Sequence, residues 1–165
     1  LHPSFIDVFN YSAPIWNGMS TTEDFYNLYE NDDNRKTGWL VGKQFNVNGV
    51  PLLTTKNDTV NFTPFVAGLR NAAEDAGARQ GKWQFTPDLE QGQSSDNDWI
   101  VFRYADILLI KAEALMRKNG GAATSEAVSL VNQVRVRAFG DATGNYNVGT
   151  LTLDELVDEL SLIHI

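Results

Sequence analysis

The sequence predicts a mainly α fold, a helical hairpin set against a loop-rich region with a short β-hairpin. Three observations carry that reading. All five prolines and all four tryptophans fall within the first 99 residues, so the two halves are written in different grammars. From Trp99 onward proline is absent and apolar residues recur at helical spacing. Glycines stand where those helices should stop, at Gly120-Gly121 and at Gly140.

In the first half, Pro3, Pro14, Pro51, Pro64 and Pro87 punctuate segments too short for long helices. The stretch STTEDFYNLYEND, residues 20–32, predicts a short helix. Thr21 or Thr22 serves as its N-cap, and carboxylates occupy the first turn, where the positive end of the helix dipole favours them. TGWLVGKQFNVNGVPLLT, residues 37–54, reads as two short strands turned at Asn48-Gly49, a pair that accepts the positive φ of a tight hairpin. The surrounding loops are rich in Asn, Asp and Gly, and such a half needs something larger to pack against.

In the second half, a first helix is expected from about Val101 to Lys118 and a second from about Ser125 to Phe139, with Thr124 as N-cap and Gly140 past the end. Ala127, Leu130, Val131, Val134 and Ala138 form a core stripe at i, i+3, i+4, i+7 and i+11. A third helix begins near Thr152. Two helices joined by a glycine-bearing turn form a helical hairpin, the unit of helical repeat arrays. No second copy of the pair occurs in the sequence.

Composition narrows the function. The net charge is 13 − 21 = −8, which argues against nucleic-acid or anionic-membrane binding through a basic surface. No apolar run approaches the roughly 18 residues that span a bilayer. With no cysteine there is neither a disulfide nor a thiolate metal site. The only histidines, His2 and His164, lie near the two ends and leave no histidine-based catalysis or metal centre. ENDDN (Glu30 to Asn34) and SSDNDW (Ser94 to Trp99) are oxygen-rich but lack EF-hand spacing, so they read as solvated turns. No metal or cofactor is expected.

The ends carry their own expectation. The chain starts LHPSF, with no Met and no signal-peptide pattern, and ends LSLIHI. Leu160 to Ile165 matches the frame translation of a common sequencing-library transposon adaptor and is read as an assembly scar that interrupts an acidic helix. Residues 1–159 are then a fragment of one domain within a longer protein, with a loop-rich part at 1–96 and a helical part at 97–159.

FRYADILLIKAEALMRKNGG, Phe102 to Gly121, sets charges inside an apolar helix. Arg103, Asp106, Glu113 and Arg117 share one face. Asp106 and Glu113 are seven residues apart, roughly 10 Å along the axis, within reach of the two-carboxylate spacing of an inverting glycosidase. The structural reading is stronger. Leu108, Leu109, Ala112, Leu115 and Met116 surround these charges, and Asn132 and Arg135 on the second helix stand ready to complete a polar network with Arg103, Asp106 and Glu113.

Asn97 to Ala138 resembles the most constant segment of the SusD/RagB family. There an Arg-x-Ala-Asp-apolar-Leu-Leu-x-x-Ala-Glu-Ala helix precedes one ending in Leu/Val-Asn-x-Val-Arg-x-Arg-Ala. The matching residues are Arg103, Ala105, Asp106, Leu108, Leu109, Ala112, Glu113 and Ala114, then Val131, Asn132, Val134, Arg135, Arg137 and Ala138. WNGMSTTEDFYNLYENDDNRKTGWLVGKQ, with its Asp33-x-Arg35, is similar to the family's middle region. The resemblance implies a SusD-like fold with tetratricopeptide-like hairpins. It further implies a surface lipoprotein of the bacterial outer membrane, touching the membrane only through a lipid anchor outside these residues. Such a protein captures glycans or other nutrients without catalysis and closes as a lid on a SusC-like TonB-dependent transporter. Two other classes compete: a helical-repeat protein adaptor with no small ligand, and a glycoside hydrolase using Asp106 and Glu113.

A glycan-capturing protein lays the apolar C–H faces of sugars on aromatic rings and bonds their hydroxyls with Asn, Asp or Arg. Trp16 with Asn17, Trp39 and Trp83 are the candidates, Trp16 foremost because Pro14 and Gly18 place it in a loop beside a carboxamide. Plain packing of each Trp is the competing reading, and Trp99 belongs to the core on that logic.

Overall fold

The computed structural model describes residues 19–46, 48–68, 70–81 and 100–163 of the chain. They form two compact units, one from 19–27 with 37–81 and one from 28–36 with 100–163.

The first unit is made of short pieces: β1 (Ser20–Thr21), α1 (Glu23–Tyr26), β2 (Trp39–Leu40), β3 (Gly42–Lys43), β4 (Asn61–Phe62) and β5 (Ala78–Gln80). β5 lies between β1 and β2, antiparallel to both, with Arg79 opposite Ser20 and Gln80 opposite Trp39. β3 pairs with β4, Gly42 opposite Phe62. Gly77 enters β5 at φ +82, and a Cβ there would sit 2.5 Å from the Ser20 hydroxyl, so only glycine admits β1 so close.

The hairpin expected around Asn48-Gly49 is present. Phe45 faces Pro51 across an antiparallel bridge, and Gly49 takes φ +75. Its turn is held by the Asn46 side chain, which accepts from the amides of Asn48 at 2.9 Å and Val50 at 3.0 Å, as short polar side chains do in turns. The ladder then continues through a second turn at Thr54–Asp58, so that Gln44, Leu52 and Val60 bond one another in a closed ring. Leu52, Val60 and Phe62 are the buried apolar centre of this arrangement.

α1 is a single turn rather than the longer helix that residues 20–32 suggested, with extended Thr22 as its N-cap. The reason lies further along. Tyr29 is buried in the second unit, where its hydroxyl donates to the Leu162 carbonyl, so the chain must leave helical geometry before it. A 3-10 turn, Asn34–Gly38, carries the chain back.

The second unit holds α2 (Tyr104–Lys118), α3 (Ser125–Phe139) and α4 (Leu153–Ile163). α2 starts at Tyr104, later than the expected Val101, because Arg103 is extended at φ −121 and ψ 159. Asp106 reaches back as an N-terminal cap, its Oδ2 accepting the Arg103 amide at 2.6 Å. The helix ends as its glycines predict: the Gly121 amide donates to Met116 O at 2.9 Å and the Gly120 amide to Arg117 O at 3.2 Å, with both glycines at positive φ. α3 is capped by the Thr124 hydroxyl, which accepts the Ala127 amide at 3.1 Å, and closes on Gly140 at φ 84.

α4 opens on Thr152, whose hydroxyl accepts the Glu155 amide at 3.1 Å and donates to the Glu155 carboxylate, with Leu151 and Leu156 buried in staple positions on either side. It does not stop at Leu160. Ser161, Leu162 and Ile163 continue the helix, and Leu162 and Ile163 are buried, since none of these residues breaks a helix. The expected core stripe of α3 is buried throughout, and Ala127, Leu130, Val131 and Val134 of it meet Leu109, Ala112 and Met116 of α2 and Leu156 of α4 in one cluster. Each such large side chain contributes about 1.5–3 kcal/mol through burial. Among the described residues no helix is long and apolar enough to cross a membrane.

Candidate functional site

The five polar residues singled out in α2 and α3 are found at four places. Arg103 and Asp106 work at the start of α2. Asp106 is buried and caps the helix, and the Arg103 guanidinium lies 3.7 Å from it and donates to the Ile163 carbonyl, tying α2 to α4. Glu113 pairs with Arg117 one turn along, at 2.6 Å on an exposed face. Asn132 clamps the loop after α3: its Nδ2 donates to Tyr146 O and its Oδ1 accepts the Tyr146 amide, both at 2.9 Å.

Arg135 belongs to the densest polar site. Glu159 on α4, 1 % exposed, accepts from Arg35 Nη1 at 2.5 Å and from Arg135 Nη1 at 2.9 Å. Asp33 accepts two donors of Arg35, and Glu30 accepts Arg135 Nη2 at 2.5 Å. The Arg135 guanidinium also lies over the Tyr146 ring at 4.3 Å and the Phe139 ring at 4.8 Å, and donates to the Gly144 carbonyl. A Cβ on Gly144 would lie 2.5 Å from the Phe139 ring, so glycine is what lets this loop come in.

Burial alone would weaken a guanidinium. At Arg35 the bonds to Asp33 and Glu159 outweigh it and hold the group above its ordinary range. At Arg135 burial is likewise overcome, chiefly by Glu30. Burial pushes the Tyr146 hydroxyl up, against the opposing pull of Arg135. The site is therefore a charge-paired fastener, two arginines among three carboxylates, drawing on 28–36, α3, the loop after it and α4. Glu159, Glu30, Asp33 and Arg35 were not assigned to it from sequence. A signal existed: Glu159 falls on the apolar stripe of α4, three residues after buried Leu156.

Of the aromatic candidates, Trp39 is half-buried in β2, edge-on to Phe25 at 6.1 Å and 70°. Trp16, Asn17 and Trp83 lie outside the described residues, as do Trp99 and the stretch Ser94 to Trp99. Glu30 and Asp33, from the other oxygen-rich stretch, are committed to arginines. Among the described residues no group of three or more His, Cys, Asp or Glu stands ready to hold a metal. A groove of about 730 Å³ opens between the start of α2 and the end of α3, lined by Arg103, Tyr104 and Leu108 on one side and by Asn132, Val136 and Arg137 on the other.

The comparisons agree with this architecture. The model of the SusD family matches residues 3–160. SusD-like protein P2 of Formosa agariphila is 44% identical over 71 residues, which are 42% of this chain and 13% of that protein. The crystal structure of a SusD superfamily protein from Parabacteroides distasonis superposes with a TM-score of 0.60 at 22% identity, over 98% of this chain and 32% of that one. Surface glycan-binding protein A from Bacteroides uniformis gives 0.57 at 20% identity, over 92% and 28%. The chain thus spans at most a third of the length of these relatives, and the likeness of the two solved structures to it is one of fold. The capped hairpin, its core stripe and the family match across nearly the whole chain lead to one conclusion: this chain belongs to the SusD family.

Proposed function

We infer that the protein captures glycans or related nutrients at the outer face of the bacterial outer membrane, held there by a lipid anchor, and delivers them to a SusC-like TonB-dependent transporter. The observation that carries this reading is the SusD family match over residues 3–160. A structural relative whose name is surface glycan-binding protein A supports the ligand class. Capture needs an aromatic platform and hydrogen-bonding neighbours, and Trp16 with Asn17, Trp39 and Trp83 are the residues proposed to supply it. Trp39 is half-buried, so it offers one edge or face while the rest is held by packing.

The protein acts without catalysis on this reading. What supports it is the employment of the only carboxylate pair that resembled a glycosidase: Asp106 is buried as a helix cap and Glu113 is paired to Arg117. A general acid must reach the glycosidic oxygen from a cleft, and a buried cap has no such access.

The test is calorimetric titration of the full polypeptide encoded by the natural reading frame against a panel of oligosaccharides, with product analysis of each mixture. Binding with the oligosaccharide recovered intact is expected. A folded protein that binds no member of the panel would defeat the glycan reading, and cleaved product lost in Asp106→Asn would establish the hydrolase instead.

A further inference from the structure

Asn-Gly occurs three times in the sequence, at 17–18, 48–49 and 119–120, and the last two pairs lie within the described residues. The pair carries its own chemistry. A glycine nitrogen has no side chain beside it, so it can close on the carboxamide carbon of the preceding asparagine and form a five-membered succinimide. Closure requires water, a carboxamide free to turn and a glycine amide that can leave its hydrogen bond. Both pairs are exposed to water; they differ in the other two respects.

Asn48-Gly49 stands at the tip of the first hairpin. The clamp on this turn is made by Asn46, whose Oδ1 accepts the backbone amides of Asn48 and Val50. The Asn48 carboxamide itself has no hydrogen-bond partner among the described residues. The Gly49 amide makes one bond, to Asn46 O at 2.9 Å, at the end of a ladder where local opening costs least. Asn119-Gly120 instead closes α2. The Asn119 carboxamide donates to Ala122 O at 3.1 Å. The amides of Asn119, Gly120 and Gly121 bond Leu115 O at 3.1 Å, Arg117 O at 3.2 Å and Met116 O at 2.9 Å. Releasing the Gly120 nitrogen therefore unwinds the last turn of a helix anchored by fully buried Met116.

From this contrast we propose that Asn48 is a site of spontaneous deamidation in the folded protein, and that the end of α2 shields Asn119 from the same reaction. The Gly49 nitrogen, having lost its proton to hydroxide, bonds Asn48 Cγ. The Cγ–Nδ2 bond breaks, and ammonia leaves with a proton from water. Water then opens the ring. Breaking the new Cγ–N bond gives aspartate, and breaking the bond from the Asn48 carbonyl carbon to that nitrogen gives isoaspartate. Either product adds a negative charge to the hairpin tip. Isoaspartate also lengthens the main chain by the Cβ, which takes the Gly49 and Val50 amides out of register with Asn46. The tip loosens while Leu52, Val60 and Phe62 stay packed. The reaction involves no ligand and stands whatever the protein captures.

The test follows both sites in the full polypeptide at mildly alkaline pH, native and in urea. Peptic mapping at acid pH, where the reaction halts, is read by mass spectrometry and by isoaspartyl methyltransferase labelling. Dividing each native rate by the rate in urea removes the influence of local sequence. On that scale Asn48 is expected to convert about tenfold or more faster than Asn119, with isoaspartate at 48 and faster exchange of the Val50 amide in the aged protein. Equal normalised rates, or a faster Asn119, would overturn the proposal. So would a native Asn48 that stays intact while the sample in urea converts.

Discussion

Two buried arginines, Arg79 in the loop-rich unit and Arg135 in the helical one, are 3% and 4% exposed and are treated in opposite ways. Arg79 spends its donors on backbone carbonyls, those of Glu74, Ala76 and Gly77, and its guanidinium lies 5.1 Å from the centre of the Phe62 ring. Burial lowers its pKa, against the opposing charge of Asp75. Arg135 gives one donor to the Gly144 carbonyl but both of its terminal nitrogens to the carboxylates of Glu159 and Glu30, and its pKa rises. The difference follows from how each unit is made. Short strands and turns leave many carbonyls unpaired, and a buried cation gathers them. Regular helices satisfy their own carbonyls, so a buried cation between helices requires carboxylates. One unit is closed by its backbone and the other by its side chains.

The sharpest way to break this contrast is to remove the shared carboxylate. Glu159→Gln leaves the guanidinium groups of buried Arg135 and half-buried Arg35 facing a neutral amide, and a loss of about 3–5 kcal/mol is expected in urea unfolding of the full polypeptide. A loss under about 1 kcal/mol would mean that the helices hold without the fastener. Next comes Arg79→Met, which strands three carbonyls. A cost of about 1–3 kcal/mol is expected, read as faster amide exchange around residues 74–80 with the helical unit unchanged. Equal exchange in both units would erase the distinction between them.

Smaller effects divide α2 itself. Asp106→Ala should cost about 1 kcal/mol by uncapping the helix, whereas Glu113→Ala should cost less than about 0.5 kcal/mol because its ion pair is solvated. Thermal melts of the two variants compare them directly. The reverse order would return Asp106 and Glu113 to a common role.

What was legible in the sequence was what local rules decide. Thr124, Gly120-Gly121 and Gly140 marked helix ends because capping acts within one turn, and the stripe from Ala127 to Ala138 marked a buried face because the helix repeats every 3.6 residues. The turn at Asn48-Gly49 was legible for the same reason. The polar partners were not. Arg35 bonds Glu159 across 124 positions and Arg135 bonds Glu30 across 105, and no local pattern encodes such pairs. The start of α2 misled through a shift of three residues: with Val101 as the first residue, Asp106 looks like a mid-helix charge, and with Arg103 as the cap it becomes the capping acid.

The central claim is that charges in the helical unit fasten the fold while ligand chemistry belongs to the tryptophans of the loop-rich half. It is tested most directly by oligosaccharide affinity in the full polypeptide, measured for Glu113→Gln and, one at a time, for Trp16→Ala, Trp39→Ala and Trp83→Ala. The account predicts an unchanged affinity for Glu113→Gln and a loss of about tenfold or more for at least one tryptophan variant, as expected when a stacking ring is truncated. Affinity lost with Glu113 and kept in all three tryptophan variants would contradict it.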